Sequence, residues 1–244
     1  MTSYLNTAEF CAFALHCLGS FSLPVYVFGT YCILFKTPAT MRPVQWTLFN
    51  FHLWSCLLDV GISFLTTPYV LFPLLAGYPL GLLKDFGVGM AEQTFIVVVM
   101  VGITFASILA IFESRLRVFI FTDNCWHSVR NPWLVVNYLM GALFFLPNYL
   151  SVPEQKMAGE LISTWAGCIS NNNHMESMFI LSTGTRLLLR TGAATLVPIA
   201  FEIIFIALLT GRIISQHGGK MISAYTARLQ KKFQNALVMQ VRDQ

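Results

Sequence analysis

The sequence FIVVVMVGITFASILAIF, residues 95–112, decides the fold of this chain, because it contains no Asp, Glu, Lys or Arg. The hydrocarbon core of a bilayer is about 30 Å thick, and about 20 apolar residues in a helix cross it. Backbone polar groups find no partners in lipid, so a spanning segment has to be a helix or part of a closed barrel. No alternation of apolar and polar residues suggests a barrel. The stretch therefore predicts a transmembrane helix.

Four further apolar runs flank this stretch, with short charged joints between them. Hydrophobic residues make up 56% of the chain and charged residues 11%, whereas a soluble domain is about 25% charged. These values predict one membrane domain over residues 1–244, an all-α polytopic helix bundle surrounded by membrane lipid. The predicted spans are residues 10–35, 46–70, 90–112, 133–150 and 191–212.

Basic residues are distributed unevenly between the two sides of the predicted membrane. Eleven Lys and Arg residues fall in the joints after the first and third spans and in the tail after the fifth, against four on the other side. Lys and Arg are enriched in cytoplasmic loops. We therefore predict an extracellular N-terminus and a cytoplasmic C-terminus, and we assign the net charge of +4 to membrane topology rather than to nucleic-acid binding.

No arrangement of residues predicts an enzyme, a cofactor or a metal centre. The sequence has no HExxH, no Walker loop and no G-x-S-x-G. The six cysteines form no CxxC pair, and the five histidines have no ligand spacing. Cys11 and Cys168 both fall on the predicted extracellular side, where disulfides form. A Cys11–Cys168 disulfide and two free thiols are both open.

Two segments predict how the helices pack. Gly102, Ala106 and Ala110 recur every four residues, and such a stripe lets another helix approach closely. The stripe predicts that the third helix is central, although small residues are also common in membrane helices at large. After the second span, residues 68–81 contain three prolines, which a straight helix does not accommodate. We expect an irregular apolar segment at the outer mouth.

Ionisable residues within the spans are the candidate ligand or switch positions. Asp59 lies in the second run, where a charge costs about 2.5–3.5 kcal/mol. As a functional residue, Asp59 is a candidate ion or proton site, polar hub or ligand contact. The structural alternative is a protonated carboxyl group that is hydrogen-bonded to a neighbouring Ser or Asn. Glu202 lies in the fifth run, one turn after Pro198, which removes a helix hydrogen bond. Glu92, near the outer start of the third span, is a ligand contact or is simply hydrated.

Charged residues at the inner ends are candidate contacts for a cytoplasmic partner. The triplet 113–115 places an acid and a base two residues apart, where they can pair with each other, pair with another helix or snorkel. The tail over residues 221–241 has a helical period with its lysines off the apolar face, which predicts an amphipathic cytoplasmic helix. The candidate positions are Glu113, Arg115, Arg117, Lys231 and Lys232.

Four stretches carry a resemblance to a known family. They are FGTYCILFKTP (28–38), NFHLWSCLLD (50–59), PYVLFPLLAGYPLG (68–81) and RLQKKF (228–233). With these stretches the chain resembles the nematode serpentine chemoreceptors of class H, which belong to a superfamily of seven-transmembrane receptors. The resemblance implies an odorant-type receptor at the plasma membrane of a sensory cell. It also implies coupling to a heterotrimeric G protein and an unknown small-molecule ligand bound in the outer half of the bundle.

The resemblance also suggests roles for single residues. The Glu113–Arg115 triplet is similar in position to the acid–Arg motif that locks inactive receptors, although its middle residue is Ser and no aromatic residue follows. Asp59 resembles the acidic residue of the second helix in the wider receptor class, and Pro198 resembles the proline of the fifth. The third helix has no outer cysteine, so the usual bridge to the outer loop is not expected.

Length is the largest departure from the family pattern. A family member has seven spans, whereas this sequence stops at Gln244 before a sixth apolar run. We expect a fragment, a truncated isoform or an incomplete gene product. One alternative function is a transporter or channel subunit that uses Asp59 and Glu202, although no internal repeat supports it. Another is a non-signalling truncated receptor that pairs with other receptor chains.

Overall fold

Five long helices dominate the computed structural model, which describes residues 7–71, 76–119, 124–153, 155, 179–180, 185–217 and 235. Within these residues, five helical segments are long and apolar enough to cross a membrane: Ala8–Phe35, Arg42–Thr66, Met90–Arg117, Ser128–Leu150 and Arg186–Ile213. The all-α, polytopic fold class is therefore confirmed.

The long helices extend beyond the apolar runs, and short elements connect them. The third long helix continues to Phe119, so Glu113 and Arg115 lie inside it rather than at its end. The helices are α1 (Ala8–Phe35), α2 (Arg42–Val60), α3 (Leu82–Asp85), α4 (Met90–Phe119), α5 (Asn124–Leu143), α6 (Leu146–Leu150) and α7 (Thr185–His217). A 3-10 turn (Ala39–Met41) precedes α2, and a π-helical segment (Gly61–Thr66) follows it.

The turn between α1 and α2 is fixed by a side chain that caps the end of α1. Carbonyl groups in the last turn of a helix have no partners within the helix. The Gln45 side-chain amide donates to the carbonyl oxygens of Ile33 at 2.9 Å and Leu34 at 3.0 Å. Pro43 occupies the first turn of α2, where its missing N–H costs nothing. The two helices pack against each other as antiparallel neighbours.

The segment after α2 is a β-hairpin, so the expectation of an irregular segment was wrong. Strand β1 (Pro68–Leu71) pairs antiparallel with β2 (Ala76–Pro79), and β2 also pairs with β3 (Phe179–Ile180). Proline is tolerated at strand ends, and the first ladder position pairs Pro68 with Pro79. A Cβ atom on Gly77 would overlap the carbonyl oxygen of Tyr69. We call the side of the bundle that carries this hairpin the hairpin end, and the other side the opposite end.

Helix α4 is the centre of the bundle, as its stripe of small residues predicts. It packs against α2, α5 and α7, and Gly102, Ala106 and Ala110 are all buried. A Cβ atom on Gly102 would overlap the carbonyl oxygen of Gly141 in α5, so the two backbones touch at this point. The outer surfaces of α1 and α7 expose large apolar side chains, as expected for helices that face lipid.

Candidate functional site

A hydrogen-bonded triad of neutral side chains joins three helices in the interior. The side-chain amide of Asn50 in α2 donates to the Tyr138 hydroxyl at 2.7 Å and to the Ser107 hydroxyl at 3.2 Å. The two hydroxyls are 3.1 Å apart. Each residue comes from a different helix, so the triad fixes the register of α2, α4 and α5. The triad was not predicted, since single Asn, Ser and Tyr residues carry no spacing signal.

At the opposite end, a buried ion pair joins α4 to α5. The Glu113 side chain is 0% exposed, and its Oε2 atom lies 2.7 Å from Nε of Arg130. The indole N–H of Trp126 donates to the other carboxylate oxygen at 3.2 Å. Of the alternatives left open for Glu113, the structure shows pairing with another helix. Residues two apart on a helix do not face each other, so Arg115 is not the partner.

The remaining candidates at this end are placed in different ways. Arg115 and Arg117 are both partly buried on α4. Lys231 and Lys232 lie outside the described residues, as does the predicted amphipathic helix apart from residue 235. Cys168, the possible disulfide partner of Cys11, also lies outside them. Cys11 has a free thiol within the described part of the chain. The described residues contain no group of three or more His, Cys, Asp or Glu that could hold a metal ion.

Glu202 of α7 faces α5 and borders a cavity of about 270 Å³. Hydrogen-bonding groups of Trp133 and Asn137 in α5 face its carboxyl group. Its Oε2 atom is buried and has no hydrogen-bond partner among the described residues. The other side chains around the cavity are apolar: Leu116, Trp126, Trp133, Phe205, Ile206 and Leu209. Pro198, one turn earlier, is exposed, and α7 continues through it.

Asp59 lies elsewhere, between α1 and α2. It is partly buried in the last turn of α2, and its carboxyl group faces the Tyr26 hydroxyl of α1. On the same pair of helices, the His52 ring nitrogen lies 3.0 Å from the Tyr26 carbonyl oxygen. It also lies 3.1 Å from the hydroxyl of Thr30, one helical turn after Tyr26. Asp59 therefore lies between α1 and α2, whereas Glu202 lies between α5 and α7. The two acidic residues do not belong to one site.

The hairpin end contains a buried amide that the sequence analysis passed over. Glu92 is exposed at the start of α4, whereas its neighbour Gln93 is 1% exposed. The Gln93 side-chain N–H donates to the Val88 carbonyl at 2.8 Å, but its side-chain oxygen is buried and has no partner among the residues described. Thr66 and Thr67, at the end of the π-helical segment that packs on α4, are also buried.

The comparisons with known proteins agree on one family. The model of the family described as "Serpentine type 7TM GPCR chemoreceptor Srh" matches residues 6–242. The curated protein "Serpentine receptor class H-72" of Caenorhabditis elegans is 28% identical over 182 residues, which are 74% of this chain and 53% of that protein. The chain thus spans about half the length of the curated relative that it matches. No solved structure matches.

Proposed function

This chain belongs to the serpentine seven-transmembrane chemoreceptor family Srh, and from that premise we propose that it works as a chemosensory receptor coupled to a heterotrimeric G protein. The observation that carries the proposal is the family match, which extends over residues 6–242 and so includes all five membrane-length helices. A receptor family is not a family of enzymes, and its match does not favour a transporter or channel.

We place the receptor at the plasma membrane with the hairpin end outside the cell. The support is the excess of Lys and Arg in the joints and tail at the opposite end. In this orientation Gln93, Thr66 and Thr67 lie at the extracellular side, and the Glu113–Arg130 pair lies at the cytoplasmic side. A small molecule with a hydrogen-bond donor would satisfy the free side-chain oxygen of Gln93.

Signalling in this proposal is a population shift between two helix arrangements. Helix α4 begins beside Gln93 at the hairpin end and carries Glu113 at the opposite end. The ion pair of Glu113 with Arg130 joins α4 to α5 at that end, so in this proposal the two helices move together. A ligand that favours one arrangement would change which basic side chains the G protein meets.

The proposal is tested in cells that carry the chain with an N-terminal epitope and a G-protein reporter. We expect the epitope to stain without permeabilisation, and a screen of small volatile compounds to give a reporter signal. Gln93→Leu should abolish that signal, whereas Glu92→Gln, which changes an exposed neighbour, should leave it intact. Staining only after permeabilisation would refute the orientation. A response that survives Gln93→Leu would refute the ligand position, and the absence of any response would refute the receptor function.

A further inference from the structure

The cavity beside Glu202 has the chemistry of a cation site. We propose that it binds a small free amine, an ammonium group on an apolar body, at a position separate from the ligand region at the hairpin end. The cavity volume of about 270 Å³ lies just below the range of about 300–1,000 Å³ typical of ligand pockets. The occupant is therefore small.

Two buried acceptors near this cavity have no donors. Glu202 Oε2 and Asn137 Oδ1 are both buried, and neither has a hydrogen-bond partner within the described part of the chain. The Asn137 side-chain N–H already donates to the Trp133 carbonyl at 3.1 Å. Buried acceptors without donors are costly. An ammonium group has several N–H donors, so an occupant of the cavity can satisfy Glu202 Oε2, the unpartnered acceptor whose residue lines it.

The walls of the cavity match the rest of such a molecule. The indole rings of Trp126 and Trp133 lie on it, with ring centroids 5.7 Å apart. Indole is the aromatic side chain that attracts cations most strongly. Leu116, Ile206 and Leu209 complete an apolar surface that would contact the body of the amine. An anion would find no basic side chain among the described residues of this lining.

The depth of Glu202 favours a free amine over a lipid headgroup. Glu202 lies eleven residues before Ile213, where its membrane-length segment ends. At 1.5 Å per residue this distance is about 17 Å, which is about half of the 30 Å hydrocarbon core. A lipid headgroup resides at the membrane surface, so its ammonium group would have to be drawn to the middle of the bilayer. A small amine reaches that depth within the cavity.

Binding is measured by tryptophan quenching on the full chain in phosphatidylcholine nanodiscs. The probe is para-bromophenethylammonium, whose bromine quenches indole fluorescence on contact. The control probe is para-bromopropylbenzene, which has the same shape without the charge. We expect saturable quenching by the amine, and only linear quenching by the neutral compound as it partitions into lipid. Saturable quenching by both probes would overturn the proposal, and so would linear quenching by both. The second outcome is expected if Glu202 is protonated and its O–H donates a hydrogen bond to Asn137 Oδ1.

Three variants and one lipid change complete the test. Glu202→Gln should raise the Kd about tenfold, equivalent to about 1.4 kcal/mol, whereas Glu92→Gln, which changes an exposed acid, should not. Leu209→Trp keeps the carboxyl group but fills the cavity, and it should abolish saturation. Helical circular dichroism and a single elution peak establish that each variant is folded. An unchanged Kd in folded Glu202→Gln would overturn the site. Competition by added phosphatidylethanolamine would overturn the assignment to a free amine.

Discussion

Replacing Arg130 with Met is expected to destabilise the folded chain more than replacing Glu113 with Gln. The two side chains form one ion pair with an Nε–Oε2 distance of 2.7 Å, but their environments differ: the Glu113 side chain is 0% exposed and that of Arg130 is 18% exposed. Arg130→Met leaves a carboxylate buried without its cation. Glu113→Gln leaves a guanidinium group that already reaches the surface and can extend further into water.

The magnitudes follow from this asymmetry. Removing one partner of a buried pair costs about 3–5 kcal/mol, because the remaining charge is uncompensated. We assign that range to Arg130→Met. In Glu113→Gln the amide oxygen can still accept from the Trp126 indole, as Oε1 does at 3.2 Å, so we expect a loss of about 1–3 kcal/mol, typical of one buried hydrogen bond. The double variant should lose less than the sum, since it leaves neither charge unpaired.

The free energy of unfolding is measured in mixed micelles by titration with a denaturing detergent, followed by helical circular dichroism. The four proteins of the double-mutant cycle give the coupling energy directly. Arg117→Met is the matched control, because Arg117 lies on α4 close to Glu113 but forms no ion pair among the described residues. Equal losses in the two single variants would refute the asymmetry. A coupling energy near zero would show that the pair does not stabilise the fold.

Two further predictions concern the packing of α4. Gly102→Ala should cost about 1–3 kcal/mol, because the new methyl group would overlap the Gly141 carbonyl; Gly192→Ala meets open space and should stabilise α7 by up to about 1 kcal/mol. Thermal unfolding measures both changes in stability. If both variants change the unfolding temperature in the same direction, the close approach of Gly102 to Gly141 is contradicted. Tyr138→Phe removes the hydroxyl that bridges Asn50 and Ser107 and should lower the free energy of unfolding by about 1–3 kcal/mol. Tyr31→Phe, on the exposed face of α1, is its control, and an equal effect would contradict the triad.

The helices and the central place of α4 could be predicted because each depends on a local property of the sequence. A long uncharged run such as residues 95–112 has no stable alternative to a helix in lipid. The stripe from Gly102 to Ala110 specifies that some helix approaches closely. It does not specify which one. That Gly141 is the contact depends on the order in which the helices pack, and no spacing within α4 contains this information.

The partner of Glu113 was not predictable for the same reason. Pairing with Arg115 and pairing with another helix were both open, and helix geometry separates residues two apart. The partner, Arg130, is seventeen positions away along the chain, and only the antiparallel register of α4 and α5 brings it close. The hairpin was missed because three prolines between residues 68 and 79 argue against regular structure of any kind. Proline at a strand end costs no ladder hydrogen bond, and Pro68 and Pro79 stand at the start of β1 and the end of β2.

The contacts between helices suggest which helix is free to move. Helices α2, α4 and α5 are joined by directional bonds through Asn50 and Tyr138, and α4 and α5 also by the ion pair and by backbone contact at Gly102. Helix α7 meets α4 mainly through branched apolar side chains such as Ile199 and Ile203, which fix no single register. At the hairpin end, the side-chain amide of Asn148 in α6 donates a hydrogen bond of 2.7 Å to the hydroxyl of Thr191 in α7.

Packed helices can slide past each other by small shear steps. We expect α7 to make such a step while its hydrogen bond from Asn148 to Thr191 is kept. A change in the position of α7 would alter the contacts of Glu202, whose carboxyl group faces Trp133 and Asn137 of α5. An occupant that bonds to both Glu202 and α5 would hold α7 in one position. By linkage, a ligand at the hairpin end that prefers the same position would bind more tightly when the cavity is filled. In both proposals, ligand binding would therefore act through the position of α7.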